Sequence, residues 1–175
     1  MPEPTDAATH PDGAGRPRFL CDAMLHGLAR WLRASGHDAE VAGRGEDDRD
    51  VAARALAGGR ILVTRDRGLL DRREARGGAV AISADRVPDQ ARELAARLGA
   101  AGVALDWLAD PFSRCTLCNA TLAPAPPERR GEAPASVRRR GLPVLECPGC
   151  ARLYYWAGSH HERMRRTLEG FAAPA

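Results

Sequence analysis

Two Cys-x-x-Cys pairs stand 28 residues apart in the second half of the chain: Cys115-Thr-Leu-Cys118 and Cys147-Pro-Gly-Cys150. A tight turn over two intervening residues lets both sulfurs of a pair face one ion at about 2.3 Å, and two such turns complete a tetrahedron. The spacing therefore predicts a four-thiolate zinc site in a small ribbon. Two disulfides or a redox Cys-x-x-Cys would be the other uses of these residues. A redox motif would open a helix after a strand and would need one pair. The fifth cysteine, Cys21, lies in an apolar run and reads as a buried thiol.

A chain of 175 residues has room for one ordinary domain beside such a module. No run of 18 apolar residues occurs, so no transmembrane helix is expected. Residues 1–17 are rich in Pro, Gly, Ala, Thr and Asp without an apolar core, which reads as a disordered tail and not a signal peptide. Thiolates without a secretion signal point to a reducing cytoplasm. The net charge of +3 decides little, but the fixed positive charge is all Arg, with no Lys. A GC-rich genome explains that composition. Arg also binds phosphate bidentately, so the surface is compatible with nucleic acid. Arg129, Arg130, Arg138, Arg139 and Arg140 cluster between the cysteine pairs, and Arg163, Arg165 and Arg166 lie near the C-terminus.

Strand-like and helix-like segments alternate before the cysteines. Residues 18–22 read as a first strand, and 23–35 as a helix with Met24, Leu25, Leu28, Trp31 and Leu32 at helical spacing. Gly36 stops that helix at the C′ position. Residues 38–42 form a second strand, and a helix runs from Glu46 to about Gly58. Residues 60–64 form a third strand, with a helix beginning at Asp66. Residues 79–83 form a fourth strand and 88–98 a fourth helix. Alternation of this kind predicts an α/β fold with a mostly parallel sheet flanked by helices. The expected organisation is an α/β domain over 18–100, a linker near 99–111, and a ribbon with a C-terminal helix over 112–170. Residues 124–141, rich in Pro, Glu, Arg, Gly, Ala and Ser, read as a mobile loop between the ribbon halves.

Four acids fall on one edge by topology. Asp22 ends the first strand, Asp66 follows the third by one residue, Asp48 opens the helix between the second and third strands, and Asp85 follows the fourth. In an open parallel sheet the C-terminal strand ends share an edge, and ligands bind there. Clustered carboxylates repel unless a cation sits among them, and oxygen-only sites select Mg²⁺ or Mn²⁺. Each of these acids also precedes or opens a helix, where Asp is a favoured N-cap. Spacing does not separate Asp47 from Asp48.

The run from Asp22 to Arg33, followed by Gly36-His-Asp38, resembles the start of the Mut-7 C-terminal ribonuclease domain family. Residues 60–67, Arg-Ile-Leu-Val-Thr-Arg-Asp-Arg, are similar to its strand-and-acid motif. Residues 112–119, the second cysteine pair, and Tyr155-Trp-Ala-Gly-Ser-His160 with Met164 resemble its ribbon and C-terminal signature. The resemblance spans about 19–168. It implies a PIN-like α/β domain fused to a zinc ribbon, cutting RNA with bound metal. On it, Asp22 and Asp66 match family acids, Asp48 falls where the middle acid sits, and Asp85 matches less closely. The Arg- and Pro-rich ribbon insert departs from the family's pattern.

The expectation is thus a metal-dependent ribonuclease. Asp22, Asp48, Asp66 and Asp85 are its catalytic acids, and Mg²⁺ or Mn²⁺ sits on Asp22, Asp48 and Asp66. Zinc sits on Cys115, Cys118, Cys147 and Cys150, RNA is the partner, and no small-molecule cofactor or membrane is involved. A non-catalytic RNA- or ribosome-binding ribbon protein uses the same basic surface without needing the acids. A cysteine redox protein would show reactive thiols. His160 and His161 could replace a cysteine on zinc, and His26, one turn after Asp22, could reach a phosphate. Trp31 reads as a core residue, and Tyr154, Tyr155 and Trp156 read as packing across the ribbon, where an exposed ring could also stack on a base.

Overall fold

The computed structural model describes residues 15–70 and 78–173; the expected tail lies outside them up to residue 14. The first sheet is formed by β1 (Phe19–Cys21), β2 (Ala39–Val41), β3 (Ile61–Thr64) and β4 (Ala79–Ala81). The order is β2-β1-β3-β4 and every pairing is parallel. Central β1 is buried on both faces, as a parallel sheet with helices on each side requires. Side chains alternate across the sheet. Phe19, Cys21 and Val63 pack with Leu28 and Leu32 of α1 (His26–Ala34) and Leu94 and Leu98 of α4 (Val87–Ala100). Leu20 and Leu62 point the other way, onto Val51, Ala52 and Ala55 of α2 (Asp48–Ala57) and Leu69 of α3 (Arg67–Leu70). The expected parallel α/β sheet is present, and all four C-terminal strand ends lie at one edge. The first helix begins as a 3-10 turn, Ala23–Leu25, before α1.

Gly36 ends α1 with φ +95°, and a Cβ there would lie 2.3 Å from the carbonyl oxygen of Asp110. Only glycine fits that backbone and that approach. The α1 terminus anchors the incoming segment: Asp110 N donates to Ser35 O at 3.2 Å, and Phe112 N donates to Ala34 O at 2.7 Å. Residues 99–111, expected as a linker, carry Trp107 into the core. Phe112 adopts φ 67°, which costs a non-glycine residue about 1–2 kcal/mol. Its ring is held in compensation by Trp156 and His161, at centroid distances of 4.5 and 4.6 Å.

The second sheet is antiparallel, β5 (Ala123–Pro124), β6 (Leu145–Glu146) and β7 (Leu153–Tyr154). The segment expected as a mobile loop is instead folded. It forms α5 (Pro127–Arg130) and α6 (Ala135–Arg139) around buried Ala125, Ala133, Val137 and Val144. The composition misled because its prolines start helices, Pro127 at N1 of α5 and Pro134 as the N-cap of α6. Its arginines satisfy carbonyls: Arg130 Nε donates to Ala125 O at 2.6 Å and Arg138 Nε to Ala133 O at 3.1 Å. Finally α7 (Gly158–Ala172) returns to the first sheet's core, where Phe171 lies edge-on to Trp31 and Trp107 at 5.5 and 5.0 Å. No helix among the described residues is long and apolar enough to cross a membrane.

Candidate active site and metal centre

The cysteines form two matching turns. In the first, Asn119 N donates to Cys115 O at 3.0 Å and Cys115 N to Ala120 O at 2.8 Å. In the second, Ala151 N donates to Cys147 O at 2.8 Å and Cys147 N to Arg152 O at 2.9 Å. The residue after each pair is left-handed, Asn119 at φ 73° and Ala151 at φ 55°. The ligand atoms of Cys115, Cys118, Cys147 and Cys150 lie within 4.8 Å of one another. Cys115 Sγ is 3.7 Å from Cys150 Sγ, and Cys118 Sγ is 3.2 Å from Cys147 Sγ. A zinc tetrahedron with bonds of about 2.3 Å has edges of about 3.8 Å. A disulfide would need about 2.05 Å, and all five cysteines are free. The donor set therefore fits zinc. Burial pushes the Cys115 thiol up, but the N–H groups of Cys118 and Leu117 and the Tyr154 hydroxyl outweigh it and bring it down to about 6. Burial and the neighbouring Cys118 thiol push Cys147 up to about 12, and Cys150 is raised as well, so without an ion the thiolate character that a zinc ligand needs is concentrated on Cys115. His160 and His161 are not in this group; His161 packs on Phe112 and Trp156.

A buried polar joint fastens the first turn to the α/β layer. Asn119 Oδ1 accepts from Ala39 N at 3.0 Å, while its Nδ2 donates to Asp38 Oδ1 at 2.6 Å. Arg33, 6% exposed, donates to Ala39 O at 2.7 Å and Leu117 O at 2.6 Å. Arg114 Nε donates to Gly36 O at 3.1 Å. Asp38 also accepts from Arg60 at 2.8 and 3.0 Å and from Arg18 at 3.1 Å. Burial alone would raise its carboxyl, but Arg60, Asn119 and Arg18 hold it down at about 2. Sequence reasoning missed this joint. The one available signal was Asn directly after a cysteine pair, where a left-handed residue is wanted.

At the strand-end edge, one hydroxyl ties two of the expected acids together. Thr64, fully buried at the end of β3, donates from Oγ1 to Asp22 Oδ2 at 3.0 Å. The same oxygen accepts from Asp66 N at 2.9 Å. Asp22 Oδ1 also receives Met24 N at 3.5 Å, and Asp66 Oδ1 receives Gly68 N at 2.7 Å, so both acids cap the turns they open. Neither carboxylate has a cationic partner among the described residues. Asp47 is the N-cap of α2, accepting from Arg49 N at 2.8 Å. Asp48 is half-buried, and its carboxylate has no hydrogen-bond partner among the described residues. Asp85 is exposed and paired with Arg65. Its turn is fixed by Glu93, which accepts from Ser83 N and Ala84 N at 2.9 and 3.0 Å. No three of Asp22, Asp48, Asp66 and Asp85 bring ligand atoms within 4.8 Å of one another.

Against known proteins, the model of the Mut7-C RNAse domain matches residues 17–168. The human Exonuclease mut-7 homolog is 39% identical over 102 residues, 58% of this chain and 12% of that protein. The chain thus corresponds to a small part of that relative's length. No solved structure matches. A family of RNAse domains whose model covers both the acid-bearing sheet and the four-cysteine ribbon supports a nuclease-type function in general. The chain belongs to the Mut7-C RNAse domain family.

Proposed function

We propose that the chain is a metal-dependent ribonuclease that hydrolyses RNA phosphodiester bonds at the edge carrying Asp22, Thr64 and Asp66. The observation that carries this reading is the shared Thr64 hydroxyl. It holds the Asp22 carboxylate and the backbone N–H of Asp66 on adjacent parallel strand ends, and neither acid is neutralised by Arg among the described residues. Donors that are all oxygen and carry net negative charge fit Mg²⁺ or Mn²⁺. Asp22 and Asp66 would hold the ion, with Asp48 as the third ligand, since Asp47 is engaged as a cap and Asp48 is not. Asp85 would join as an outer acid once its Arg65 pair opens. When bound, such an ion lowers the pKa of a water and offsets charge on the phosphate. The chain's own share is orientation, with Thr64 fixing one oxygen of Asp22 and the backbone entry to Asp66. Zinc on the four cysteines would be structural, and RNA would be the substrate.

The test is cleavage of labelled single-stranded RNA by zinc-loaded protein with and without Mg²⁺ or Mn²⁺. Asp22→Asn or Asp66→Asn should reduce the rate by more than about 100-fold, the upper end of what losing an outer-shell partner costs. Asp47→Asn should leave it near wild type, because Asn caps as well as Asp. If Asp22→Asn cuts RNA normally, the acid is only a cap. One observation favours the non-catalytic RNA- or ribosome-binding reading: no three of the acids stand at ligand spacing. RNA binding without cleavage under any divalent ion would decide for it.

A further inference from the structure

Three clefts run together along α1. The first, about 240 Å³, opens beside His26, the residue one turn beyond Asp22. The second, about 250 Å³, lies over Trp31 and reaches Met164 of α7. The third, about 430 Å³, continues between Arg152, Tyr155 and His160. All three include Arg30 and Thr116, so they form one groove from the Asp22 end of α1 to the ribbon. Although the chain has 23 acidic residues, no Asp or Glu among the described residues lines any of the three. Arg30 and Arg152 are exposed, and neither guanidinium has a partner among the described residues. That sets them apart from Arg33, Arg129, Arg130 and Arg138, which are committed to carbonyls or carboxylates. Tyr155 is 40% exposed at the far end.

We infer that this groove is the path of a single-stranded RNA segment leading to the Asp22–Asp66 edge, with Arg30 and Arg152 on phosphates and Tyr155 beneath a base. The inference rests on the ribonuclease reading and names its substrate as unpaired strand. A positive, acid-free groove with exposed aromatic rings is how proteins hold single strands, since every base offers a face to stack on. The groove is concave and shared by α1, the first cysteine turn and α7, so its shape depends on the ribbon being docked.

The experiment measures binding of a labelled single-stranded oligoribonucleotide by fluorescence anisotropy. It uses the full chain with its zinc, carrying Asp22→Asn and without added Mg²⁺ or Mn²⁺, so that no strand is cut. Arg30→Ala and Arg152→Ala should each weaken binding on the order of fivefold and lower the slope of log affinity against log salt by about 0.7. Tyr155→Ala should weaken it roughly tenfold with the slope unchanged. All three residues are exposed, and zinc content with circular dichroism checks that the variants fold. Arg92→Ala, outside the groove, should have no effect. RNA bound equally well by all three groove variants overturns the path, as does a duplex bound as tightly as the single strand. A protein that binds no oligonucleotide also overturns it and leaves the groove to a protein partner. Groove-dependent binding by a wild-type chain that cleaves nothing in Mg²⁺ or Mn²⁺ supports the path and overturns the ribonuclease reading.

Discussion

Thr64 and Asp38 carry more of the arrangement than their sequence context announces. The acids at 22 and 66 are legible because each follows an apolar strand-like run. Thr64 is not, because hydroxyls at strand ends are common and its two partners are 42 and 2 residues away. Thr64→Val keeps the shape but removes the donor to Asp22 and the acceptor for Asp66 N. The rate of RNA cleavage should fall about 10- to 100-fold, the usual cost of losing an outer-shell partner. Thr64→Ser should restore it, which a purely packing role for the methyl group would not allow. Asp38 read as the start of a strand, yet it binds two arginines and Asn119. Its carboxyl is held down at about 2, below the unfolded value near 3.9, so the unfolded chain binds more protons between those values. Its stabilising contribution is complete above about pH 4 and is lost as the pH falls towards 2. Denaturant unfolding across that window should show a smaller loss of stability for Asp38→Asn than for wild type. Equal losses would mean the carboxylate is not held.

At the scale of elements, the cysteine turns were legible because two residues of spacing dictate their geometry. The insert between them was not. Its composition matches loops, whereas what folds it is local chemistry: prolines that begin helices, and guanidinium groups placed on carbonyl oxygens. Arg130→Ala should cost about 1 kcal/mol, the net worth of one such bond. Hydrogen exchange over residues 124–144 should rise in that variant while exchange in β1 and β3 stays slow. Zinc removal should act on the same element more strongly, because a small ribbon folds on its metal. Cys115→Ser should release zinc, seen by elemental analysis, and loosen residues 112–157. A Cys115→Ser protein that retains one tightly held zinc per chain would contradict a four-thiolate site.

At the scale of the whole molecule, the parallel sheet follows from alternating apolar strands and amphipathic helices, a pattern that is local and therefore readable. The return of α7 is not local. Phe171 meets Trp31 and Trp107 across 140 and 64 residues, and no periodicity in the sequence states that pairing. The joint of Arg33, Asn119 and Asp38 is equally long-range. Ribbon and sheet thereby share one frame, which is why α1 can line a groove with the first cysteine turn and α7. Phe171→Ala should destabilise the α/β core by about 3–5 kcal/mol, as large-to-small changes in cores do. A single cooperative loss measured at both the sheet and α7 is the expected outcome.

The central claim is that one edge of the sheet holds a divalent ion between Asp22 and Asp66. Its most direct test locates Mn²⁺ by anomalous diffraction from crystals of the zinc-loaded protein soaked in that ion. The expected result is a Mn²⁺ peak roughly 2.0–2.2 Å from carboxylate oxygens of Asp22 and Asp66, the short bonds of a hard cation to oxygen. It should be absent from Asp22→Asn crystals treated the same way. A Mn²⁺ peak elsewhere, or none at that edge under conditions where the protein cleaves RNA, would contradict it.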